Sequence, residues 1–165
     1  MHDVLDAKAM WLSGFRSRVR AAAVLFHDGC ILLNRFGDGV YHNLPGGGIE
    51  AGELARQTVV REVREETGLD VETGNLVFTL EYGDPAHHQV SFFFRCELLG
   101  SPALSVPALP DRNPDDPKLT STPVWLPVGE LPGITLVPQV NQNLIRYYHT
   151  GVFEPLFYED PYTEG

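Results

Sequence analysis

The chain has few of the residues that would cross-link it or hold it in a membrane. It contains two cysteines, Cys30 and Cys96, which lie in separate apolar stretches. Two such thiols in an intracellular protein are more often packing residues than a disulfide. The first 20 residues hold no apolar run long enough for a signal peptide, and no later run approaches a membrane span. We therefore expect a cytoplasmic protein without a membrane partner.

Positive charge is also scarce. The 12 Lys and Arg residues stand against 22 Asp and Glu residues, so the formal net charge is −10. Nucleic-acid binding relies on Lys and Arg to neutralise phosphates, and the chain has no basic stripe, so we expect no nucleic-acid partner. An anionic substrate would need local positive charge, chiefly from metal ions and a few arginines, against an unfavourable overall field.

The glycine-rich residues 44–48 lack the features of common nucleotide-binding loops. No Gly-Lys-Ser/Thr follows them, which excludes a Walker-type phosphate loop, and the Gly-x-Gly-x-x-Gly spacing of dinucleotide-binding folds is missing. Three consecutive glycines let the main chain approach a ligand closely. Taken alone, this stretch predicts only a turn.

The chain does contain a run of acidic residues at helical spacing. Glu62, Glu65 and Glu66 stand at i, i+3 and i+4, so on a helix their side chains emerge from one face. Like charges at these spacings each cost about 0.2–0.5 kcal/mol, and a divalent cation would reverse that sign. Mg²⁺ takes oxygen ligands, commonly carboxylates together with waters and substrate phosphates. The spacing therefore predicts a divalent-metal site.

A solvated surface is the ordinary interpretation of a glutamate-rich helix face. Two features favour a binding site instead. The same face carries Ala55, Thr58 and Val59, so it is not uniformly polar, and we expect it to line a cleft. Arg61 lies four residues before Glu65, close enough to hold a carboxylate by a charge-assisted hydrogen bond.

The loop and the helix together resemble the signature of the Nudix hydrolases, Gly-x5-Glu-x7-Arg-Glu-U-x-Glu-Glu-x-Gly-U, where U is a bulky aliphatic residue. Every position is filled between Gly47 and Leu69. The resemblance implies an α/β fold, a Nudix-type α/β/α sandwich with a mixed β-sheet. It also implies a pyrophosphohydrolase that uses Mg²⁺ or Mn²⁺ to cleave the diphosphate linkage of a nucleoside diphosphate joined to another moiety. ADP-ribose, a nucleotide sugar and a nucleoside triphosphate all remain open as substrates.

The resemblance also implies roles for individual residues. The metal ligands would be oxygen donors of the loop and the helix, namely Gly46, Glu62, Glu65 and Glu66. Arg61 would orient the glutamates, Glu53 would support the start of the helix, and Glu65 is one candidate for the catalytic base. The other candidates for the base are acidic residues outside the signature or late in the chain: Glu81, Asp111, Asp115 and Asp116.

Residues outside the signature carry weaker expectations. Arg35 ends a predicted strand that leads toward the glycine loop, where substrate binding and plain surface exposure are equally good interpretations. Tyr82, Phe92 and Phe94 have the flat rings that stack on a nucleobase, but aromatic residues in an apolar strand are more often core residues.

Hydrophobic patterns place further elements around the acidic helix. Predicted strands cover residues 20–26, 30–36, 40–44, 76–82, 89–99 and 123–128, and a predicted last helix covers residues 137–148. This order predicts a mixed sheet covered on both faces. We expect one domain over residues 17–150, with tails at residues 1–16 and 151–165 and a long surface loop within residues 101–127.

Two other functions and one question of assembly stay open. A ligand sensor of the same fold would bind a nucleotide sugar or ADP-ribose without cleaving it, although such relatives often lose one or more of the glutamates that this chain retains. An isopentenyl diphosphate isomerase-like enzyme would need a nucleophilic cysteine in its site, whereas Cys30 and Cys96 are expected to be buried. Relatives often dimerise, so a homodimer is an open alternative to a monomer.

Overall fold

The architecture is taken from a computed structural model that describes residues 16–107, 110, 112, 116 and 118–161. In chain order the described elements are β1 (Arg16–His27), β2 (Cys30–Phe36), β3 (Tyr41–Asn43), β4 (Gly46–Gly48), α1 (Ala55–Thr67), β5 (Asp70–Gly83), β6 (His87–Leu99), β7 (Ser121–Pro127), a 3-10 helix (Val128–Gly133), β8 (Leu136–Val137), α2 (Asn141–Thr150) and β9 (Phe157–Pro161).

Strand β1 is the centre of a mixed sheet. The strands run in the order β8-β3-β2-β1-β6-β5-β9, with β4 paired to β1 and β7 paired to β2. β1 is parallel to β6 but antiparallel to β2 and β4. The predicted mixed sheet is therefore confirmed, and the pairing brings the glycine-rich β4 directly beside β1.

Helices cover the sheet on both faces, which completes the predicted α/β/α sandwich. Alternate residues of β1 point to opposite faces. Ala21 and Ala23 pack in the core under α1 together with Val59. Ala22 packs in the opposite core, which includes Leu144 of α2. The small β1 side chains allow both layers to approach the sheet closely.

The boundaries of α1 follow from its flanking residues. Gly68 has φ 75° and forms the left-handed C-terminal cap, and its N–H donates to the carbonyl of Arg64. At the other end the first helical residue is Ala55, preceded by Leu54 in an extended conformation. The backbone N–H of Leu54 donates to the Gln57 side chain at 2.8 Å, which satisfies one donor at the helix start.

Three segments differ from the sequence-based expectations. Residues 46–48 form strand β4 rather than a free turn, because they pair with β1. The last helix begins at Asn141, since Val140 is its N-terminal cap rather than part of the helix. Residues 151–161 are more than a tail: Phe153 is buried in the core and β9 adds a parallel edge strand to β5.

The remaining expectations concern the thiols, the long loop and the membrane. Both cysteines are free. Cys96 is buried, and burial raises its pKa to about 12, whereas Cys30 is half-buried.

Asp111 and Asp115 lie outside the described residues. Neither α1 nor α2, the two α-helices of the described ranges, has the length and apolar character needed to cross a bilayer. The cytoplasmic location and the homodimer stay predictions.

Candidate active site

The three acidic side chains of the helix differ sharply in exposure. Glu66 is 7% exposed and the Glu62 side chain is 15% exposed, whereas the Glu65 side chain is 59% exposed. Glu62 and Glu66 are one turn apart and face the glycine-rich strand β4. Glu65 lies at the edge of this face, on the rim of an outer groove of α1 that also contains Arg56 and Arg64.

Glu66 is held at one oxygen by two neutral donors. Its Oε2 accepts a hydrogen bond from the Asn34 side-chain amide at 2.9 Å and another from the backbone N–H of Gly46 at 3.0 Å. Asn34 belongs to β2 and Gly46 to β4, so this buried carboxylate connects α1 to two strands of the sheet. Sequence analysis did not identify Asn34.

Arg61 connects the loop before the helix to the acidic face. Its guanidinium donates to Glu53 at 2.6 and 3.0 Å, to Glu62 at 2.8 Å and to Glu65 at 3.2 Å. The same group donates to the carbonyl of Gly48 at 3.2 Å. The predicted orienting role of Arg61 has the geometry that it requires, since one side chain holds three carboxylates and the glycine strand.

Of these carboxylates, Glu53 makes the shortest hydrogen bond to Arg61, at 2.6 Å. Hydrogen bonds from Arg61 and then from Thr58 lower the pKa of Glu53 to about 2. In turn, the hydrogen bond to Glu53 is the main cause that raises the pKa of Arg61. Glu53 also accepts from the backbone N–H of Glu50 at 3.2 Å. It therefore ties the loop to the first turns of α1, where sequence analysis predicted a supporting role.

Gly47 permits the close approach of β4 to the acidic face. A Cβ atom at this position would overlap the carboxylate of Glu62. Register places Gly47 opposite Ala21 of β1, so β4 cannot move away without breaking its ladder. The glycine is required here by space, because every other residue would displace either the strand or the Glu62 side chain.

One cleft is lined by arginines together with Glu62 of the acidic helix. This cleft has a volume of about 420 Å³, and its lining includes Gly46, Glu62, Arg18, Arg20 and Arg112. The Arg20 guanidinium donates to the carbonyl of Gly46 at 3.0 Å. Sequence analysis missed these cations. The signal that could have found them is the i, i+2 spacing of Arg18 and Arg20, which places both on one face of a strand.

A second cleft of about 340 Å³ adjoins the first and shares Arg20 and Asn43 with it. Its other lining residues include Tyr82, Gln89 and Phe93, which lie on β5 and β6. An aromatic ring, an apolar floor and side-chain amides thus adjoin the charged cleft. Of the aromatic residues named from the sequence, only Tyr82 lines this space.

Several predicted residues lie elsewhere. Phe92 and Phe94 pack in the core under α1. Arg35 is exposed on β2 and is not among the residues that line the charged cleft, so its substrate-binding role stays a prediction without support from that lining. Glu81 accepts a hydrogen bond from His88 at 2.7 Å, on the strands β5 and β6. Asp116 is exposed in the long loop.

The donor set of the charged cleft suits a hard divalent cation. Its wall offers the carboxylate of Glu62 and the carbonyl of Gly46, and the buried Glu66 carboxylate lies beside Gly46. These are oxygen ligands, which Mg²⁺ and Mn²⁺ prefer. Within the described ranges, no three His, Cys, Asp or Glu side chains converge as a ready-made metal cluster. Arg61 instead holds two of the carboxylates in ion pairs.

Some known proteins are similar to part of this chain, and others are similar to most of it. A family model described as NUDIX domain matches residues 16–148. An ADP-ribose pyrophosphatase of Methanocaldococcus jannaschii is 41% identical over 59 residues, which are 34% of this chain and 35% of that protein. The NAD-capped RNA hydrolase NudC of Pseudomonas aeruginosa is 31% identical over 125 residues, 74% of this chain. The match spans only 40% of the length of that second protein.

A solved structure agrees with the architecture. A NUDIX hydrolase from Nitrosomonas europaea superposes with a TM-score of 0.64 at 23% identity, over 86% of this chain and 94% of that one. At this identity the likeness concerns the fold, and it confirms the predicted α/β sandwich.

Proposed function

This chain belongs to the NUDIX family, and on that premise we propose that it is a hydrolase that cleaves the diphosphate linkage of a nucleoside diphosphate joined to another moiety, with Mg²⁺ or Mn²⁺ as cofactor. One observation carries the proposal. Oxygen donors of Gly46 and Glu62 line a single cleft together with Arg18, Arg20 and Arg112. A diphosphate needs both a cation shared with the acidic face and direct contacts to positive side chains.

The acidic and the basic residues have separate tasks in this proposal. Glu62, Glu65, Glu66 and the Gly46 carbonyl would hold the metal, which would supply charge neutralisation for the phosphate oxygens and activation of a water for attack. The arginines of the cleft would bind other phosphate oxygens. Because the chain as a whole carries a net charge of −10, these arginines also offset a field that repels the substrate.

Arg61 and Glu53 act by positioning in this proposal. Arg61 keeps Glu62 and Glu65 aimed along one face, and Glu53 keeps Arg61 in place from the loop. A base must remove a proton from the attacking water. We retain Glu65 as the candidate, because its Oε2 accepts from Arg61 at 3.2 Å beside Glu62 and its side chain is open to solvent.

The adjoining cleft fits the moiety attached to the diphosphate. Sharing of Arg20 and Asn43 makes the two clefts neighbours, so a ligand with phosphates in the first can extend into the second. Tyr82 offers surface for a flat ring, and Gln89 offers an amide for its polar edge. This supports a nucleoside diphosphate derivative, in line with the similarity to an ADP-ribose pyrophosphatase.

Incubation with ADP-ribose and Mg²⁺, followed by detection of AMP, tests the proposal directly. A parallel screen of nucleoside diphosphate sugars, dinucleoside polyphosphates, dNTPs and NADH, with product identification, finds the preferred substrate. Cleavage that stops on addition of a chelator supports the hydrolase. Tight binding of one of these compounds without any product would instead support the sensor, the second function that the sequence left open.

A further inference from the structure

Asn34 is an uncharged polar side chain at the centre of the acidic site. It is 1% exposed and lies on β2 with Asn43 of β3 as its cross-strand neighbour. Its Nδ2 donates to Glu66 Oε2 at 2.9 Å, within a buried environment. The backbone N–H of Gly46 donates to that same oxygen at 3.0 Å. Both donors converge on one carboxylate oxygen, which leaves the orientation of the carboxylate fixed.

The two donors to Glu66 Oε2 are neutral, whereas the neighbouring carboxylates accept from a charged donor. Glu53, Glu62 and Glu65 each accept from the Arg61 guanidinium, whose positive charge offsets theirs. An amide N–H is neutral, so the bond from Asn34 orients a carboxylate without cancelling its charge. A metal ligand benefits from this type of support, because groups that hydrogen-bond to ligands from behind orient them and tune their affinity for the ion.

One end of the Asn34 amide disfavours folding. Its Oδ1 is buried and has no hydrogen-bond partner within the part of the chain that the structure describes. A buried acceptor without a donor disfavours folding. An apolar residue of similar size, such as the Leu32 and Leu33 that precede it on the same strand, would avoid that cost. The benefit of Asn34 must therefore come from its donor.

We propose that Asn34 is a positioning residue for divalent-metal binding, which orients the Glu66 carboxylate for the cation through a neutral amide N–H. This inference rests on the proposed function, since it requires a metal at the acidic face. Asn34 does not touch the ion in this account. It acts only through Glu66, together with the N–H of Gly46.

The test measures Mn²⁺ affinity and metal-free stability separately. Calorimetric or spin-resonance titration with Mn²⁺ gives Kd, and thermal unfolding in the presence of a chelator gives Tm. Asn34→Leu removes both the donor and the unpartnered acceptor at nearly constant volume. We expect Kd to weaken by about 10–100-fold, the range typical for groups that support metal ligands. Tm without metal should change little, because loss of the hydrogen bond to Glu66 and removal of the unpartnered acceptor have opposite effects on stability.

Two further variants control for packing. Asn34→Ala leaves space for a water that can replace the donor, so we expect a weaker effect on Kd, about tenfold. If Asn34→Leu does not fold, the Kd of Asn34→Ala tests the inference in its place. Asn143→Leu is the matched control, because the Asn143 amide donates to the Glu154 carbonyl at 2.6 Å on α2, outside both clefts. We expect it to leave Kd unchanged.

Each remaining outcome has a definite meaning. Wild-type Kd in both Asn34 variants, with or without a lower Tm, would assign Asn34 a purely structural role and overturn the inference, while the hydrolase proposal would stand. If the wild-type protein itself takes up no Mn²⁺, both proposals fail together. An equal loss of affinity in Asn143→Leu would also overturn the inference, because the effect would not depend on Glu66.

Discussion

Glu66→Gln should separate the metal-dependent stability of this protein from its intrinsic stability. The substitution keeps the shape of the side chain, and its carbonyl oxygen can still accept from Asn34 and Gly46. A hydrogen bond to a charged group contributes about 1.5–3 kcal/mol and a neutral one about 0.5–1.5 kcal/mol, so the two bonds together lose about 2 kcal/mol. Relief of repulsion from Glu62 returns about 0.2–0.5 kcal/mol, and weaker desolvation returns more.

Without metal, these terms nearly cancel, and we expect a change in Tm of only a few degrees. The Tm values of wild type and Glu66→Gln should differ once Mg²⁺ is added. At a concentration about 100 times the wild-type Kd, binding raises the free energy of unfolding by about 2.7 kcal/mol, which corresponds to about 5–10 °C in a domain of this size. If Glu66→Gln weakens Kd about 100-fold, the same concentration contributes only about 0.4 kcal/mol, or about 1 °C.

Thermal unfolding by circular dichroism, with chelator and then with Mg²⁺, measures both quantities. Glu72→Gln is the matched control, because Glu72 is exposed on β5 and should keep the full metal-induced rise in Tm. Turnover should fall by at least about 100-fold in Glu66→Gln, since charge stabilisation at the reacting phosphate is lost. An equal rise in Tm with Mg²⁺ in wild type and Glu66→Gln would refute the assignment of Glu66 as a ligand.

Three further predictions test other parts of the site. Gly47→Ala should abolish most turnover and lower Mn²⁺ affinity in a titration, because its Cβ overlaps Glu62; a fully active variant would contradict the close approach. Arg18→Ala should lower kcat/KM by about tenfold or more, with partial recovery in Arg18→Lys, and unchanged steady-state kinetics would remove Arg18 from the substrate site. The pKa of Glu53 is lowered from 4.5 to about 2, so its contribution to stability is present above pH 4.5 and lost as pH falls toward 2. In Glu53→Gln the fall of Tm over that window should be smaller than in wild type, and an identical pH profile would refute the ion pair with Arg61.

The acidic helix was predictable because its pattern is local. The spacing of Glu62 and Glu66 lies within two turns, and the predicted helix that carries them is confirmed. The glycine strand was not predicted as a strand, since it depends on pairing with β1 more than 20 residues earlier. β9 was missed for the same reason, because only its pairing with β5 distinguishes residues 157–161 from a tail.

The non-helical parts of the site were the least predictable. Asn34 and Arg20 lie on different strands. The i, i+2 spacing of Arg18 and Arg20 indicates a shared strand face, but nothing in the local sequence indicates that this face or Asn34 lies near the acidic helix. Their positions follow from sheet register, which depends on contacts across the whole domain. Arg35, by contrast, is a candidate for substrate binding only through its position near a strand end. The alternation of β2 side chains leaves Arg35 exposed, while its neighbour Asn34 is buried.

The alternation of β1 side chains between the two sheet faces also determines the consequence of an error in strand register. Arg18 and Arg20 lie on the face of β1 that continues into Ala22, while Ala21 and Ala23 lie under α1. A slip of one residue would drive guanidinium groups into the helix interface and empty the substrate cleft of charge. Misfolded molecules of this kind would be inactive as well as unstable. Specific activity per mole of protein should therefore report the fraction of molecules with the correct strand register.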